Sequence, residues 1–586
     1  MASISPRKRS SNALHTPEPE PTTSLLLDSP NYSGRILAGL NELRQTSMLC
    51  DYTLAAEDIS FNVHRCVMVA CSDYFHALLT TDMRESRDNR VELKGVSSVG
   101  LKVVVEFAYT GSLNLNLDNL EDVLAAVSHL QVSEAMDLCC TFMKKALTID
   151  NCVDMLHMSE VYYLADSLDA TRKFVLQHFE QLAETEQYQR LTSSQLASLL
   201  AENCLKVTSE YRLFELVLQW IDHKKEERQE GLPSLVSNLR LPLLSGEELV
   251  DKVSKVDLMH SQRECSKLLM QAKDYHIVVS KQPLLQTDRT QVRSDKSSLV
   301  MCHAENLESY HFEAERHAFL KDAMVPLYSP CVCVVDNFMY ACGGKYDSNE
   351  NNEIATARCF RYDPRFDTWF ELPSMNEARK DFVMVALNKC LYAIAGQDEN
   401  MVMCTMECFS IEKNDWELCQ SLSHAVYTHA GTVCESKIYI TGGQKFDGHC
   451  RMVKSYNSEL DSWKEEPSLI NSRSNHNMAA VNGCLYVLGG NTEDPYGFPV
   501  PVTSIEKFNP VTGVWTVLKS VLNIREAGTC VLNSTVYIVG GINGQHYYSN
   551  LIQSFNPEDD KVEFVTKFPT RIYGRACCVL TLAHFV

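Results

Sequence analysis

Five small-residue doublets punctuate the second half of the chain: Gly343-Gly344, Ala395-Gly396, Gly442-Gly443, Gly489-Gly490 and Gly540-Gly541. Successive doublets lie 52, 47, 47 and 51 residues apart. Four of the five tryptophans keep phase with them: Trp369, Trp416, Trp463 and Trp515 fall 25, 20, 20 and 25 residues past their doublets. By spacing, Phe564 takes that slot in the fifth unit. A period of about fifty residues, with short apolar strands in each unit, predicts a β-propeller of four-stranded blades around a channel. Such a ring of exposed loops serves binding more often than catalysis.

One unit shows the grammar. Residues 479–488 (AAVNGCLYVL) read as two strands around the Asn482-Gly483 turn, a strong short hairpin signal. Gly489-Gly490 ends the second strand, where the backbone needs positive φ or another chain passes close. Ser504–Phe508 alternates as a third strand, and Val514–Leu518 supplies a fourth with Trp515 as its large apolar body. The same order recurs in 360–369 (FRYDPRFDTW), 408–416 (CFSIEKNDW) and 456–463 (YNSELDSW). The pattern resembles the kelch repeat. A strand at 297–302 (SSLVMC), two poor strands within 308–320 and a solitary terminal strand at 575–582 (RACCVLTL) complement one another. Together they predict a sixth blade that the C-terminal strand completes, removing the exposed sheet edges.

At 586 residues the chain exceeds one core, and about three to four domains are expected. A net charge of −21 argues against a nucleic-acid surface. The 23 cysteines are scattered, with no Cys-x-x-Cys pair, which disfavours zinc and thioredoxin-type sites and suggests reduced thiols inside the cell. No metal or cofactor is expected. The polar, proline-rich start is unlike a signal peptide, and no run of about 18 apolar residues suggests a membrane span. Residues 1–32 read as a disordered tail with a short basic cluster, Pro6-Arg7-Lys8-Arg9, as a candidate nuclear address in an otherwise cytoplasmic protein.

The first half has another style. Strands begin at Cys50–Leu54 and Phe61–Arg65, helix follows to Ser72–Phe75, and Met83-Arg84-Glu85-Ser86 precedes a strand at Val91–Leu93. A helix then ends at Phe107-Ala108-Tyr109-Thr110-Gly111, and Leu120, Val123, Leu124 and Val127 repeat at helical spacing. This order resembles the BTB (POZ) domain, assigned to 33–147, an α/β fold. Ile36, Leu37, Leu40 and Leu43 form an apolar stripe on a helix ahead of it. The resemblance implies that this helix packs across the two-fold axis of a homodimer. His64 has no phased partner and reads as a core residue. The resemblance also implies that Met83 and Glu85 contact cullin-3.

Residues 148–280 are helical; Trp220-Ile221 and Arg240-Leu241-Pro242-Leu243 resemble the BACK domain. Its opening helix pair, about 150–181, corresponds to the family's 3-box, which extends the cullin groove. A linker at 281–296 precedes the propeller at 297–586. BTB, BACK and kelch in this order resemble a kelch-like protein. That implies a non-catalytic substrate adaptor of a cullin-3 RING ubiquitin ligase, with self, cullin-3 and a substrate protein as partners, and neither nucleic acid nor membrane among them. The rival is a cytoskeletal scaffold that binds actin through paired propellers.

Two positions per blade should form the substrate face. Those just after the doublet are Lys345, Gln397, Gln444, Asn491 and Ile542. Those just before the next first strand are Arg379-Lys380, Tyr427, Arg473-Ser474, Arg525-Glu526 and Arg575-Ala576. The arginines would either receive an acidic or phosphorylated motif or pair with carboxylates of the blades.

Overall fold

The computed structural model describes residues 32–81, 88–294, 296–303, 306–323, 326, 328–347, 353–544, 547–569 and 576–582. They fall into two compact units. The first comprises residues up to Thr148 plus Asp154–Thr171, and the second comprises Ile149–Val153 and everything from Arg172 onward.

In the first unit, Tyr52–Ala56 is the central strand of a three-stranded sheet, antiparallel to Ile59–Val63 and parallel to Arg90–Glu92. Helices Arg65–Cys71, Asp73–Thr80, Ser98–Thr110, Leu120–Leu130 and Ser133–Ala146 cover it. Local chemistry sets their ends. Ser72 and Ser97 cap the second and third helices through Phe75 and Gly100 N–H groups, and Gly111, left-handed at φ 65°, closes the third. A side chain at Gly100 would run into the Asp122 carbonyl, so glycine permits the close approach of the third and fourth helices. His64 is buried as expected, its N–H 2.7 Å and its Nδ1 2.8 Å from the Tyr109 hydroxyl, its Nε2 3.2 Å from the Met48 carbonyl. Met155 and Leu164 share a buried cluster with Leu124 and Val127. The compact unit therefore also takes in Asp154–Thr171, much of the opening helix pair of the BACK segment.

In the second unit, the helices Ser193–Leu200, Glu210–His223, Leu232–Ser237 and Arg263–Ile277 pack around Leu213, Val217, Trp220 and Leu235, all buried. The segment expected as a linker is instead a packed bridge. Two short 3-10 turns, Val279–Leu284 and Asp288–Thr290, bury Gln282, Pro283 and Thr290. Arg293, 4% exposed, reaches Glu210 at 2.5 Å and donates to the carbonyls of Leu200, Glu202 and Asn238. Arg240 of the Arg-Leu-Pro-Leu segment holds the Gln291 carbonyl at 2.8 Å. From the propeller, Arg361 donates to Val279 O and Gln282, while Arg365 donates to Thr290 O and Gln286. The physical reason is satisfaction: buried guanidinium groups need several acceptors, and the carbonyls of a short irregular segment supply them.

The propeller has six four-stranded antiparallel sheets. Numbered along the chain, blade 1 holds Ser297–His303, Asn306–His311 and Arg316–Leu320, and Cys577–Thr581 joins it as the innermost strand through Cys577↔Met301 to Thr581↔Ser297. Blades 2 to 6 begin at Cys331, Val383, Ala430, Asn477 and Gly528. The six innermost strands neighbour one another in cyclic order, and the C-terminal strand lies between those of blades 6 and 2. The second glycine of each doublet is left-handed, φ 83–99°, and a Cβ on Gly490 would lie 2.6 Å from the Ser474 carbonyl. Ala395 takes the first position in blade 3 at φ 52°.

Tryptophan cements neighbouring blades. The indole N–H groups of Trp369, Trp416, Trp463 and Trp515 donate to the carbonyls of Lys321, Pro373, Gln420 and Pro467, at 2.9, 3.0, 2.9 and 2.7 Å. Each acceptor lies just past the outermost strand of the preceding blade. The structure corrects the fifth slot. Trp463 pairs with Tyr456 and Trp515 with Phe508, but Phe555 pairs with Val562, leaving Phe564 59% exposed. The left-handed residue two places upstream keeps the phase: Asp367, Asn414, Asp461 and Asp560.

Candidate functional site: the loop face of the propeller

The positions singled out after the doublets and before the innermost strands meet in pairs. A two-way backbone bridge joins Lys380 to Gln397, Tyr427 to Gln444 and Ser474 to Asn491, each N–H···O between 2.9 and 3.1 Å. Arg525 and Ile542 pair likewise in blade 6. In blade 2 the partner of Lys345 is Tyr328, which the sequence did not mark because no doublet precedes it. Each bridge closes its blade on the doublet side.

Side-chain exposure divides these residues. Lys345, Lys380, Gln397, Tyr427, Gln444 and Arg525 are half-buried, whereas Ser474 and Asn491 are buried. Gln397 donates to Asp381 at 2.9 Å. Arg379 and Arg473 are both 0% exposed, which removes them from any docking surface. Arg379 donates to the carbonyls of Ala395 and Thr405 and pairs with Glu407 at 2.9 Å. Arg473 repeats the set one blade pair on, with Gly489 O, Ser504 O and Glu506. Burial pulls the Arg473 guanidinium below its ordinary pKa while Glu506 pushes it back. The cause is geometric: the first doublet residue turns its carbonyl inward, and a guanidinium satisfies that carbonyl, a strand carbonyl and a carboxylate together. Arg575 lies outside the described residues.

Among the described residues, several exposed large apolar side chains of this face were missed. They sit on the connections between second and third strands: Met401 in blade 3, Phe446 in blade 4, Tyr496 and Phe498 in blade 5, Tyr547 and Tyr548 in blade 6. Phe446 is fully exposed and Tyr496 is 86% exposed. Aromatic residues held out in water by short hairpins favour protein docking, because they carry large contact area at low entropic cost. The sequence signal was available in Asp494-Pro495-Tyr496-Gly497-Phe498-Pro499, where aromatics alternate with turn formers.

In the first unit, helix Tyr32–Gln45 buries none of its residues within the single chain; Ile36 is 50% exposed, and Leu37, Leu40 and Leu43 are half-buried. Met83 and Glu85 lie outside the described residues. Among the described residues there is no cluster of three or more His, Cys, Asp or Glu side chains arranged for a metal, and no helix long and apolar enough to cross a membrane.

An α/β unit with a half-covered leading helix, a helical segment and a six-bladed propeller define a BTB–BACK–kelch protein. Residues 40–147 match the BTB/POZ domain, 152–254 the BTB And C-terminal Kelch domain, 329–541 the KLHDC2/KLHL20/DRC7 Kelch-repeats domain and 525–569 the Kelch motif. The chain is 32% identical to Kelch-like protein 26 of Danio rerio over 574 residues, covering 94% of each chain. It is 32% identical to Kelch-like protein 13 of Homo sapiens, covering 95% of this chain and 87% of that one, and 28% identical to Kelch-like protein 36 of Bos taurus over 570 residues. The chain belongs to the Kelch-like family.

Proposed function

We propose that this chain is the substrate-recognition adaptor of a cullin-3 RING ubiquitin ligase, acting in the cytoplasm and carrying out no bond chemistry itself. The observation that carries the reading is the union, in one family member, of a BTB/POZ domain and a propeller whose loop face holds out aromatic side chains from blades 4, 5 and 6. The BTB domain would dimerise through the stripe of Ile36, Leu37, Leu40 and Leu43. It would grip the cullin through Met83 and Glu85, aided by the helices near 150–181. The propeller would hold the substrate, so that ubiquitin transfer gains from raised effective concentration, and a dimer would add avidity.

The test is binding of the full-length chain to the N-terminal domain of cullin-3, followed by calorimetry and light scattering. Tight 2:2 association that Met83→Ala/Glu85→Ala abolishes, with folding and dimerisation intact, supports the reading. A folded, dimeric chain that ignores the cullin overturns it and moves attention to actin co-sedimentation.

A further inference from the structure

The ring is sealed at one seam by a strand from the far end of the chain, and two thiols meet there. Cys577 opens the closing strand Cys577–Thr581, and Cys530 sits in the innermost strand of blade 6, Gly528–Leu532. Their sulfurs are 3.6 Å apart, with the Cys577 S–H donating to Cys530. The two differ in access. Cys577 is buried among Leu299, Met301, Val539 and Phe568, and burial together with that donated hydrogen bond keeps its thiol protonated, well above its ordinary pKa. Cys530 is half-buried and lines the central channel beside Thr432, Met478 and Thr529. A disulfide needs its sulfurs at about 2.05 Å, so rotation of the two side chains has to close roughly 1.5 Å. The next residue, Cys578, is directed away into the cluster of Val300, Cys302 and Met339 on the blade 2 side.

We propose that Cys530 and Cys577 are an oxidant-reactive thiol pair: a hydroperoxide entering the channel is reduced at Cys530, and Cys577 resolves the product into a disulfide that staples the closing strand to blade 6. In the first step the Cys530 sulfur attacks the terminal peroxide oxygen. The O–O bond breaks, Cys530 becomes a sulfenic acid, and the thiol proton leaves with the departing alcohol, or with water when the oxidant is hydrogen peroxide. In the second step the Cys577 sulfur attacks the Cys530 sulfur. The S–O bond breaks, the S–S bond forms, and hydroxide leaves as water with the Cys577 proton. Two thiols and one hydroperoxide give one disulfide, one alcohol and one water. The two electrons pass from the sulfurs to the peroxide. The consequence is mechanical: the closing strand is paired to blade 1 and shares no strand pairing with blade 6, so the disulfide gives that seam a covalent bond, and a thiol reductant reverses it.

The experiment uses the reduced full-length chain and hydrogen peroxide. Peptide mapping under non-reducing conditions should yield a Cys530–Cys577 cross-link, and the unfolding temperature of the propeller should rise by on the order of 5 °C and return with dithiothreitol. Cys577→Ser should abolish both effects while leaving Cys530 as a sulfenic acid that a cyclic diketone traps. Cys578→Ser, one residue away, should retain the cross-link and the shift. Peroxide that oxidises other thiols without joining these two overturns the pair. A cross-link that forms without moving the unfolding temperature overturns the staple. If Cys577→Ser fails to fold, Cys530→Ser replaces it, with loss of cross-link and shift as the same readout.

Discussion

Arg379 and Glu407 meet at 2.9 Å with neither side chain reaching solvent. The Glu407 carboxylate also accepts the N–H groups of Asn376 and Glu377 and the Asn376 side-chain amide. One buried ion pair thus fastens the connection entering blade 3 to that blade's third strand. Blade 5 repeats it with Arg473 and Glu506. Blade 6 has none: Ile524 replaces the arginine, and Gln553 stands where the carboxylate would be.

Arg379→Ala leaves the buried Glu407 charge uncompensated, which costs about 3–5 kcal/mol, and Glu407→Ala leaves Arg379 with only the partly exposed Glu377, 2.8 Å away, as its counter-charge. Glu407→Ala and Arg379→Ala should therefore each lower the denaturation midpoint of the propeller steeply. The double variant Arg379→Ile/Glu407→Gln, which copies blade 6, should recover most of that loss, since removing both charges together leaves neither one buried and uncompensated. Urea denaturation of the three variants checks this. A double variant no better than the singles would show that the pair cannot be exchanged for the arrangement of blade 6.

The tryptophan seams give a graded prediction. Trp463 donates to Gln420 O and packs its ring on Tyr456, centroids 5.0 Å apart. Trp463→Phe removes chiefly the hydrogen bond and should cost about 1 kcal/mol. Trp463→Ala empties the seam and should cost about 3–5 kcal/mol. Phe564→Ala, on an exposed side chain, should stay within about 0.5 kcal/mol of the parent. Denaturation midpoints rank the three.

That last contrast shows what the sequence made legible. Doublets and tryptophans are backbone and packing requirements, so they appear at fixed spacing, and blade number and ring closure followed from them. Blade 6 lacks a tryptophan, and a nearby aromatic drew attention from Val562, although the left-handed Asp560 keeps the phase. Turns were legible unevenly. Asn482-Gly483 announces its hairpin, yet Asn388-Lys389 and Glu435-Ser436 adopt the same paired positive φ angles without glycine. On the loop face, spacing located the bridging backbone correctly. It said nothing about which side chains turn inward, because an arginine beside a channel and one clamped on a glutamate 28 residues away look identical in one dimension. The bridge between BACK and propeller was missed for a related reason: polar residues at 281–296 find their partners far along the chain.

His317 supplies a pH dependence. Its ring lies 4.9 Å from those of both Tyr310 and Phe568. Burial lowers its pKa below the ordinary 6.5, with Glu308 and the Lys567 backbone opposing the shift. A histidine with depressed folded pKa binds fewer protons folded than unfolded, so its contribution is complete above the unfolded pKa and is lost as pH falls through about 6.5 towards the folded value. The propeller's unfolding temperature should drop between pH 7.5 and 5.5, and His317→Gln should flatten part of that slope. Thermal scans across this window decide it; an unchanged slope in the variant would remove His317 as a source.

The proposed function makes the exposed aromatics, and not the buried Arg379 and Arg473, the carriers of recognition. Phe446, Tyr496 and Tyr547 stand 108%, 86% and 63% exposed on three consecutive blades. Their loss should leave folding within about 0.5 kcal/mol of the parent. As central anchors of an interface, each would be worth about 2 kcal/mol or more in binding. Phe446→Ser/Tyr496→Ser/Tyr547→Ser should therefore keep its unfolding temperature and its cullin-3 association while its other partners, quantified by affinity purification and mass spectrometry, fall at least tenfold. Arg379→Ala should lose those partners only in proportion to unfolded protein. An unaltered partner set in the triple variant would shift recognition away from this arc, towards the half-buried Lys380, Gln397 and Tyr427.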